Sequence, residues 1–251
     1  MNMYNNKLSI NYDALYAQKD YNVECQIIKK YSNNKNNLLD VGCGTMSHSI
    51  ILSNIFKSVV SVDLSQHMLN VGIDKLQKNK IENITTHCEQ LDNLKFENKF
   101  DTVISMFNVI NHITELPNLI EFFGEIQKSL TVGGVFIFDC WNGVACTIDK
   151  PTESSTKTLF YDNYTLMTTT KTKTDLFHSI SVMDTNVKIC DENTIIDEFD
   201  YSLDQKLWTP SILIDLLKMS GLYINKIIPY FDDNKVPTDK DYRLTFICKK
   251  N

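Results

Sequence analysis

The sequence predicts an α/β fold with a mostly parallel sheet and an inserted layer of antiparallel strands. Short apolar runs alternate with helical segments up to about residue 141, and Thr-, Ile- and Val-rich runs fill residues 157–204. Alternating strands and helices are typical of a parallel sheet that is covered on both faces. A chain of 251 residues, 43% of them hydrophobic, is long enough to bury such a core.

The parallel part begins with a predicted helix over residues 11–31, for which Asn11 is the expected N-cap. Strands and helices then alternate, and the turn at Gly133 and Gly134 precedes the last parallel strand. The predicted strands are 38–41, 59–62, 84–87, 100–105 and 135–138, and the predicted helices between them are 47–56, 65–76 and 116–130.

The second part contains the insertion and the end of the sheet. Residues 157–204 predict antiparallel strands, which we expect to form a cap over one edge of the parallel sheet. Pro210 then opens a helix that runs to Met219. Two last strands are predicted over residues 222–230 and 242–249. We therefore expect a sheet domain of residues 1–145 and 205–251, and a cap of residues 146–204.

Composition and charge exclude several classes of protein. The 25 Lys and Arg against 31 Asp and Glu give a net charge of −6, whereas a nucleic-acid binder needs a basic face. There is no apolar run of about 18 residues and no apolar segment typical of a signal peptide, so we expect a cytoplasmic protein without membrane contact. The seven cysteines form no C-x-x-C pair, which argues against a zinc ribbon or a disulfide framework.

The segment LLDVGCGTM, in which a predicted strand runs into a glycine turn, carries the main functional signal. Gly42 and Gly44 allow the backbone to approach a ligand closely. Dinucleotide enzymes use G-x-G-x-x-G at such a turn, but Ser47 stands where the third glycine belongs. Asp40 precedes the first glycine by two residues. Its negative charge suits an ammonium ligand better than a pyrophosphate.

The ends of the following strands supply further groups for a nucleoside ligand. Asp63 ends the second strand, where a carboxylate accepts hydrogen bonds from ribose hydroxyls. Gln90 follows the third strand near the expected adenine, and Met106 and Phe107 end the fourth. Because open α/β sheets bind ligands at the carboxyl ends of their strands, these groups predict one cofactor site.

Together these motifs, over residues 36–140, resemble those of the class I S-adenosylmethionine-dependent methyltransferases. The resemblance implies a Rossmann-like sheet whose last strand is antiparallel, and S-adenosylmethionine as the cofactor. It places the amino-acid end of that cofactor on Asp40, Gly42 and Gly44, and the ribose on Asp63. The further cofactor contacts that it implies are Tyr21, Met68, Gln90, Leu91 and Met106.

The segment YDALYAQKDY, residues 12–21, more closely resembles methyltransferases that dimethylate the 3-amino group of dTDP-linked deoxyaminosugars. Those enzymes share the G-T-x-x-H start, the SMF segment and a strand that ends in an acid followed by Trp, and their cap matches the insertion in placement. The resemblance implies a nucleotide-linked sugar as acceptor and a monomer or homodimer. The acceptor contacts expected on this basis are Tyr12, Phe107, Asn111 and Trp141.

His112 and Asp139 are the candidates for proton transfer. The segment Asn108–His112 departs from the family pattern, so nitrogen and oxygen both stay open as the acceptor atom. A hydroxyl acceptor requires a general base, for which His112 is the best candidate, with Asp139 to orient it or to take the proton itself. For an amine, a shaped pocket suffices. No metal-binding cluster is evident, so we expect a metal-free reaction.

Arg243 is the one arginine among the basic side chains, and its planar fork suits a diphosphate. We therefore expect it to bind the nucleotide part of the acceptor. Three alternatives stay open: a methyltransferase of another small metabolite, an NAD(P)-dependent oxidoreductase, and a cofactor-binding regulator without catalysis.

Overall fold

The computed structural model describes residues 6–192 and 194–251, in which two sheets are surrounded by helices. The strands are β1 (Asn37–Val41), β2 (Ser58–Val62), β3 (Ile84–His87), β4 (Phe100–Ser105), β5 (Leu130–Trp141), β6 (Ser154–Phe160), β7 (Thr165–Asp175), β8 (Ile180–Asp191), β9 (Thr194–Lys206), β10 (Leu222–Pro229) and β11 (Arg243–Lys250). The helices are α1 (Asn6–Leu15), α2 (Tyr21–Tyr31), α3 (Ser47–Leu52), α4 (Gln66–Asn79), α5 (Leu91–Leu94), α6 (Val109–His112), α7 (Leu116–Ser129), α8 (Gly143–Ile148) and α9 (Pro210–Met219).

The larger sheet has seven strands in the order β10-β11-β5-β4-β1-β2-β3. Strands β1 to β5 are parallel to one another, and β11 lies antiparallel between β5 and β10. The predicted α/β class with an antiparallel last strand is therefore confirmed. None of the helices in the two described ranges is long and apolar enough to cross a membrane.

Helix α7 covers part of one face of the larger sheet. Its buried residues Leu119, Phe123 and Ile126 recur at helical spacing and pack on the sheet. There Phe138 of β5 stacks on Phe246 of β11, with ring centres 4.8 Å apart. A second buried cluster, formed in part by α2 and α3, packs on the other face. The two-sided burial explains why the strands read as continuous apolar runs rather than as alternating ones.

The prediction of a single helix over residues 11–31 is wrong, because the structure has two helices there. The carboxylate of Asp20 accepts the backbone N–H groups of Asn22 and Val23, at 3.0 and 3.3 Å. Such a cap begins a new helix, so α1 and α2 are separated by a short turn. Asn11 is also not the expected N-cap, since it lies inside α1 and donates to the carbonyl of Lys7 at 2.9 Å.

Strand β5 begins earlier than the predicted residues 135–138. It includes Gly133 at a φ of 76°, a conformation that glycine adopts without strain. The pairing with β4 shifts register between Phe100 and Thr102, where the strand is irregular. The expected glycine turn is thus an irregularity within a longer strand.

The smaller sheet is antiparallel, in the order β6-β7-β8-β9, and is formed by the residues of the predicted insertion. One face packs on α1, where Leu166, Val187 and Phe199 form a buried cluster with Leu8. The last strand, β9, also contacts α6 at the end of the parallel strand β4. The insertion therefore reaches the edge of the large sheet, while the division at residues 145/146 and 204/205 stays a prediction.

Candidate active site

A cavity of about 660 Å³ lies at the carboxyl ends of β1, β2 and β4. Sites for small molecules have volumes of about 300–1,000 Å³. The predicted site residues that line it are Tyr12, Tyr21, Gly42, Gly44, Asp63, Met68, Gln90, Leu91, Met106, Phe107 and His112. The predicted residues that do not line it are Asp40, Asn111, Asp139, Trp141 and Arg243.

The glycine turn forms one wall of this cavity. Gly42 has a φ of 74°, and a Cβ atom there would lie 2.6 Å from a methyl group of Val109. Gly44 has a φ of 55°, and a Cβ atom there would meet nothing within 4 Å. Gly42 therefore permits close packing of α6, whereas Gly44 presents bare backbone to open space.

Met46 ends the glycine turn, directly before the Ser47 that replaces the third glycine of a dinucleotide motif. It is fully buried at a φ of 64°, and its side chain lies 2.8 Å from the Cβ position of Gly72 in α4. Met46 thus fills the space between the turn and α4, and a larger residue at position 72 would require its side chain to shift.

Asp63 connects the end of β2 to the glycine turn. Its Oδ2 accepts the N–H of Gly44 at 2.8 Å, and its Oδ1 accepts the N–H of Ser65 at 2.8 Å. Burial raises the pKa of this carboxyl above its ordinary value. Asp63 lines the cavity, so the backbone holds a carboxylate in a fixed orientation at the cavity wall.

Asp40 lies beneath the turn rather than on the cavity wall. It is 1% exposed, and its Oδ2 accepts the hydroxyl of Ser49 at 2.6 Å. Burial raises its pKa to about 6. The expected direct contact of Asp40 with a ligand therefore does not follow from its position; the carboxyl acts on the turn from below.

One end of the cavity is lined by the aromatic side chains of Tyr12, Tyr21 and Phe107. Tyr16, just after α1, packs on Tyr12 and Phe107, and the ring centres of these three side chains lie 4.7 to 6.4 Å apart. Burial raises the pKa of Tyr21 in α2 to about 12, so its hydroxyl stays protonated. These side chains give this end of the cavity a mostly apolar wall.

Asp139 is not where the sequence interpretation placed it. Its Oδ1 accepts the N–H of Phe107 at 2.5 Å and that of Asn108 at 3.2 Å. Both residues have left-handed backbone angles, which cost energy in residues other than glycine. The buried carboxyl, whose pKa burial raises, therefore stabilises this turn instead of orienting His112.

His112 ends α6 and lines the cavity. Its Nδ1 lies 3.0 Å from the carbonyl oxygen of Asp204, and its Nε2 lies 3.1 Å from the amide nitrogen of Gln205. Burial lowers the pKa of His112, although Asp204 acts in the opposite direction. A neutral imidazole at the cavity wall is suited to accept a proton.

The three other predicted acceptor contacts lie outside the cavity wall. Asn111 is buried, donates to the carbonyl of Lys206 at 2.7 Å and accepts the N–H of Trp141 at 2.9 Å. The ring of Trp141 packs on Tyr242. Asn111 is therefore a structural link between β5 and β9. Arg243 stands closer, with its guanidinium carbon 6.0 Å from the ring centre of Phe107.

The sequence interpretation missed a buried charge cluster behind Tyr21. Glu24 is 2% exposed and accepts from Nζ of Lys19 and, at 2.6 Å, from Nε2 of His48. Although burial acts to raise it, these partners lower the pKa of Glu24 below its ordinary value. The available signal was an acid on the buried face of α2, where Ile27 and Ile28 also lie.

The sequence over residues 38–134 matches the family described as methyltransferase domain. Residues 38–134 form a methyltransferase domain. The predicted recognition of a class I methyltransferase is thereby confirmed, and the NAD(P)-dependent oxidoreductase loses its support.

Known proteins resemble the methyltransferase domain and its surroundings. An uncharacterised protein of Methanocaldococcus jannaschii is 34% identical over 55% of this chain and 51% of its own length. The dTDP-3-amino-3,4,6-trideoxy-alpha-D-glucopyranose N,N-dimethyltransferase of Streptomyces venezuelae is 25% identical over 52% of this chain and 55% of its own length. The chain thus spans about half the length of these two relatives.

The solved structure of an S-adenosylmethionine-dependent methyltransferase from Clostridium acetobutylicum aligns along both whole chains. It covers 100% of each, with a TM-score of 0.83 and 22% sequence identity. At this identity the likeness shows the fold, which includes the insertion as well as the methyltransferase domain.

Proposed function

We propose that the chain transfers a methyl group from S-adenosylmethionine to an amino or hydroxyl group of a nucleotide-linked sugar. One observation carries the proposal: the same cavity is lined by Gly44 and Asp63 at the glycine turn and by Phe107 and His112 at its other end. A cofactor on the turn and an acceptor beside His112 would therefore meet in one space. Methylation of another small metabolite is the alternative.

The residues of the turn fit such a cofactor. Gly44 offers open backbone, and Asp63 offers preoriented carboxylate oxygens for ribose hydroxyls. Met68 and Leu91 supply apolar surface for adenine, and Gln90 supplies an amide for its exocyclic amine. When bound, S-adenosylmethionine supplies an electrophilic methyl carbon on a sulfonium sulfur.

The acceptor class is supported by the name of the Streptomyces venezuelae relative and by the residues near Phe107. The chain has a net charge of −6, so a diphosphate needs a local positive group. Arg243 does not line the cavity, but its guanidinium carbon lies 6.0 Å from the ring centre of Phe107, and it would supply this charge to a diphosphate that extends past that ring. The smaller sheet supplies β9, which adjoins His112 and would border the sugar.

Methyl transfer is an in-line displacement, so the acceptor atom must be held in line with the methyl carbon and the sulfur. Holding reactants in this geometry supplies a large part of the rate. The wall formed by Tyr12 and Phe107, with Tyr16 packed on both rings, restricts the acceptor, and His112 takes its proton. The proton goes to Nε2 of the imidazole, since Nδ1 faces a carbonyl oxygen.

A binding measurement and a product screen test the proposal. Calorimetry should detect S-adenosylmethionine but not NAD or NADP. Incubation with isotopically labelled S-adenosylmethionine and a panel of nucleotide sugars should yield a product heavier by one or two labelled methyl groups. Binding of S-adenosylmethionine with methylation of other metabolites, and of no nucleotide sugar, would replace the acceptor class. Absence of binding would refute the cofactor.

The variant His112→Asn distinguishes the two acceptor atoms. A hydroxyl acceptor depends on a base, so kcat should fall by about a hundredfold or more. An amine acceptor is itself nucleophilic, so the loss should be about tenfold or less. A wild-type kcat on the true substrate would remove His112 from the reaction.

A further inference from the structure

The wall of the cavity is rich in carboxylates and poor in positive charge. The acidic residues that line it are Asp63, Glu89, Asp92, Glu121 and Glu125. Among the residues that the structure describes, no lysine or arginine lines it, and the side chains there that can carry a positive charge are His48 and His112. S-adenosylmethionine carries a carboxylate in addition to its ammonium and sulfonium groups. The two histidines are therefore the candidates for the counter-charge of that carboxylate.

The two histidines have different surroundings. Burial lowers the pKa of His112, which disfavours its charged form. His48 lies in α3, directly after the glycine turn, and its neighbour Ser47 also lines the cavity. The proposed function places the cofactor on this turn, beside Gly44. His48 is therefore the candidate that lies next to the expected amino-acid end of the cofactor.

The imidazole of His48 is held by a buried carboxylate. Its Nε2 lies 2.6 Å from Oε2 of Glu24, which is 2% exposed and also accepts from Lys19. Although burial acts to raise the pKa of Glu24, these two partners lower it, so the carboxyl is ionised. A carboxylate only accepts hydrogen bonds, so Nε2 of His48 carries a hydrogen. Nδ1 is thus the nitrogen left to bond a ligand in the cavity.

Tyr21 fixes the plane of the same imidazole. Its ring packs on that of His48 with ring centres 5.0 Å apart and an angle of 74° between the planes. The Tyr21 hydroxyl is itself held by a hydrogen bond with the side chain of Ser47. His48 is therefore oriented by Glu24 and by Tyr21 before any ligand binds.

We propose that His48, paired with Glu24, binds the α-carboxylate of S-adenosylmethionine through Nδ1 and so selects ligands that have this carboxylate. The inference rests on the proposed function, in which the cofactor lies on the glycine turn. The charged imidazole donates from Nε2 to Glu24 and from Nδ1 to the ligand. Together with Lys19, the cluster then has one net positive charge, which matches one carboxylate.

A negative group lies close to this cation. Burial raises the pKa of Asp40 to about 6, and the charge of His48 acts in the opposite direction, so the two groups are near enough to interact. The ammonium and the carboxylate of an amino acid are bonded to the same carbon. Opposite charges on two neighbouring groups of the protein, Asp40 and His48, therefore suit both ends of this zwitterion.

Three adenosine ligands test the inference. S-adenosylhomocysteine carries the carboxylate and the ammonium, its decarboxylated analogue carries the ammonium alone, and methylthioadenosine carries neither. The variant is His48→Phe, which keeps a ring against Tyr21 but removes the charge and both nitrogens. His67→Phe, on the exposed face of α4, is the matched control. Calorimetry measures the dissociation constant of each ligand for each protein.

In His48→Phe the affinity for S-adenosylhomocysteine should fall about tenfold to a hundredfold, because a charge-assisted hydrogen bond is lost. The affinities for the decarboxylated analogue and for methylthioadenosine should stay at their wild-type values. The double variant Lys19→Met/Glu24→Gln keeps His48 but removes its counter-charge, so it should show the same ligand dependence with a smaller loss. His67→Phe should match the wild type with all three ligands.

Equal losses for the three ligands in His48→Phe would show that His48 only supports the turn, and would overturn the inference. So would an unchanged affinity for S-adenosylhomocysteine. A loss that persists with the decarboxylated analogue and disappears with methylthioadenosine would assign His48 to the ammonium instead. If the wild type binds none of the three, the cofactor of the proposed function is wrong and the inference falls with it. If His48→Phe does not fold, as judged by thermal melting, the double variant decides alone.

Discussion

The hydroxyl of Thr45 donates a hydrogen bond to the carboxylate of Asp13 at 2.5 Å and so fastens α1 to the glycine turn. The other oxygen of Asp13 pairs with Lys75 of α4 at 2.7 Å. The same helix brings Tyr12 into the cavity wall. One side chain, Asp13, therefore connects α1 both to the glycine turn and to α4.

Removal of the two contacts of Asp13 should increase the dissociation rate of the cofactor. In Asp13→Ala the helix loses both contacts, and we expect S-adenosylmethionine to dissociate about three- to fivefold faster, since the pair is partly exposed. Stopped-flow displacement measures this rate. The control is Asp74→Ala, a substitution on the exposed face of α4. Equal dissociation rates in both variants would show that α1 does not hold the cofactor.

Asp63→Asn tests the ribose contact. An amide retains one oxygen for the turn but loses the charge and one acceptor. We expect the affinity for S-adenosylmethionine to fall about tenfold to a hundredfold, since hydrogen bonds to charged groups contribute roughly 1.5–3 kcal/mol. Calorimetry checks this against Asp191→Asn at the exposed end of β8. A wild-type affinity in Asp63→Asn would exclude the contact.

The cavity residues on strand ends were predictable because chain order fixes the edge at which parallel strands end. Gly44, Asp63 and Phe107 follow directly from that rule. Asp139 lies near the end of β5 and Asn111 lies in the helix that follows β4, but their partners are backbone groups on other segments. Only the three-dimensional arrangement shows that such hydrogen bonds turn a polar side chain inward.

The pKa of Asp40 gives a pH dependence of stability. An ordinary carboxyl has a pKa of about 4, and burial raises that of Asp40 to about 6. Between these values the native state binds more protons than the unfolded state, so stability falls as pH rises through this window. The loss is on the order of 2–3 kcal/mol. Below the window this penalty is absent.

Asp40→Asn should flatten this dependence. The amide does not ionise, but its oxygen still accepts from Ser49, so the fold is retained. Between about pH 4 and 7, the free energy of unfolding should fall by about 2 kcal/mol less than in the wild type. Urea denaturation at several pH values measures it. Asp63 and Asp139 have raised pKa values too, so some slope remains. Identical slopes would contradict the assignment.

Glu24 should be needed for the stability of the buried cluster that it forms with Lys19 and His48. Glu24→Gln leaves Lys19, whose side chain is 7% exposed, without its counter-charge. Breaking a buried pair costs about 3–5 kcal/mol, because the remaining charge stays buried. We expect a loss of this size in denaturant unfolding, largely restored in Lys19→Met/Glu24→Gln. Glu198→Gln, from an exposed pair at 3.7 Å, should cost less than about 1 kcal/mol. Similar losses in both single variants would contradict this.

Helix α2 illustrates the limit of sequence interpretation in another way. Ile27 and Ile28 mark an apolar face of this helix in the sequence, and the structure buries both. Glu24 lies on the same face and carries a charge that periodicity alone assigns to solvent. Its partners come from the turn before α2 and from α3, which lie next to α2 only after folding.

Arg243 begins β11 and pairs with Trp141 of β5, which places it at the carboxyl end of the neighbouring strand. Its guanidinium carbon lies 5.0 Å from the ring centre of Tyr230 and 6.0 Å from that of Phe107. Phe107 lines the cavity, so the cation lies next to the cavity wall. A planar guanidinium both stacks on these rings and offers two parallel donors, whereas an ammonium does neither.

Substitution of Arg243 should therefore affect the acceptor and not the cofactor. In Arg243→Lys we expect the KM for the nucleotide sugar to rise about threefold to tenfold, since charge stays but the bidentate contact is lost. Arg243→Ala should raise it by more than about tenfold. Steady-state kinetics with each substrate varied in turn measures both KM values, with exposed Lys240→Ala as control. Equal rises in both KM values would indicate a folding defect. No rise in either would show that the guanidinium serves only the packing of Phe107 and Tyr230.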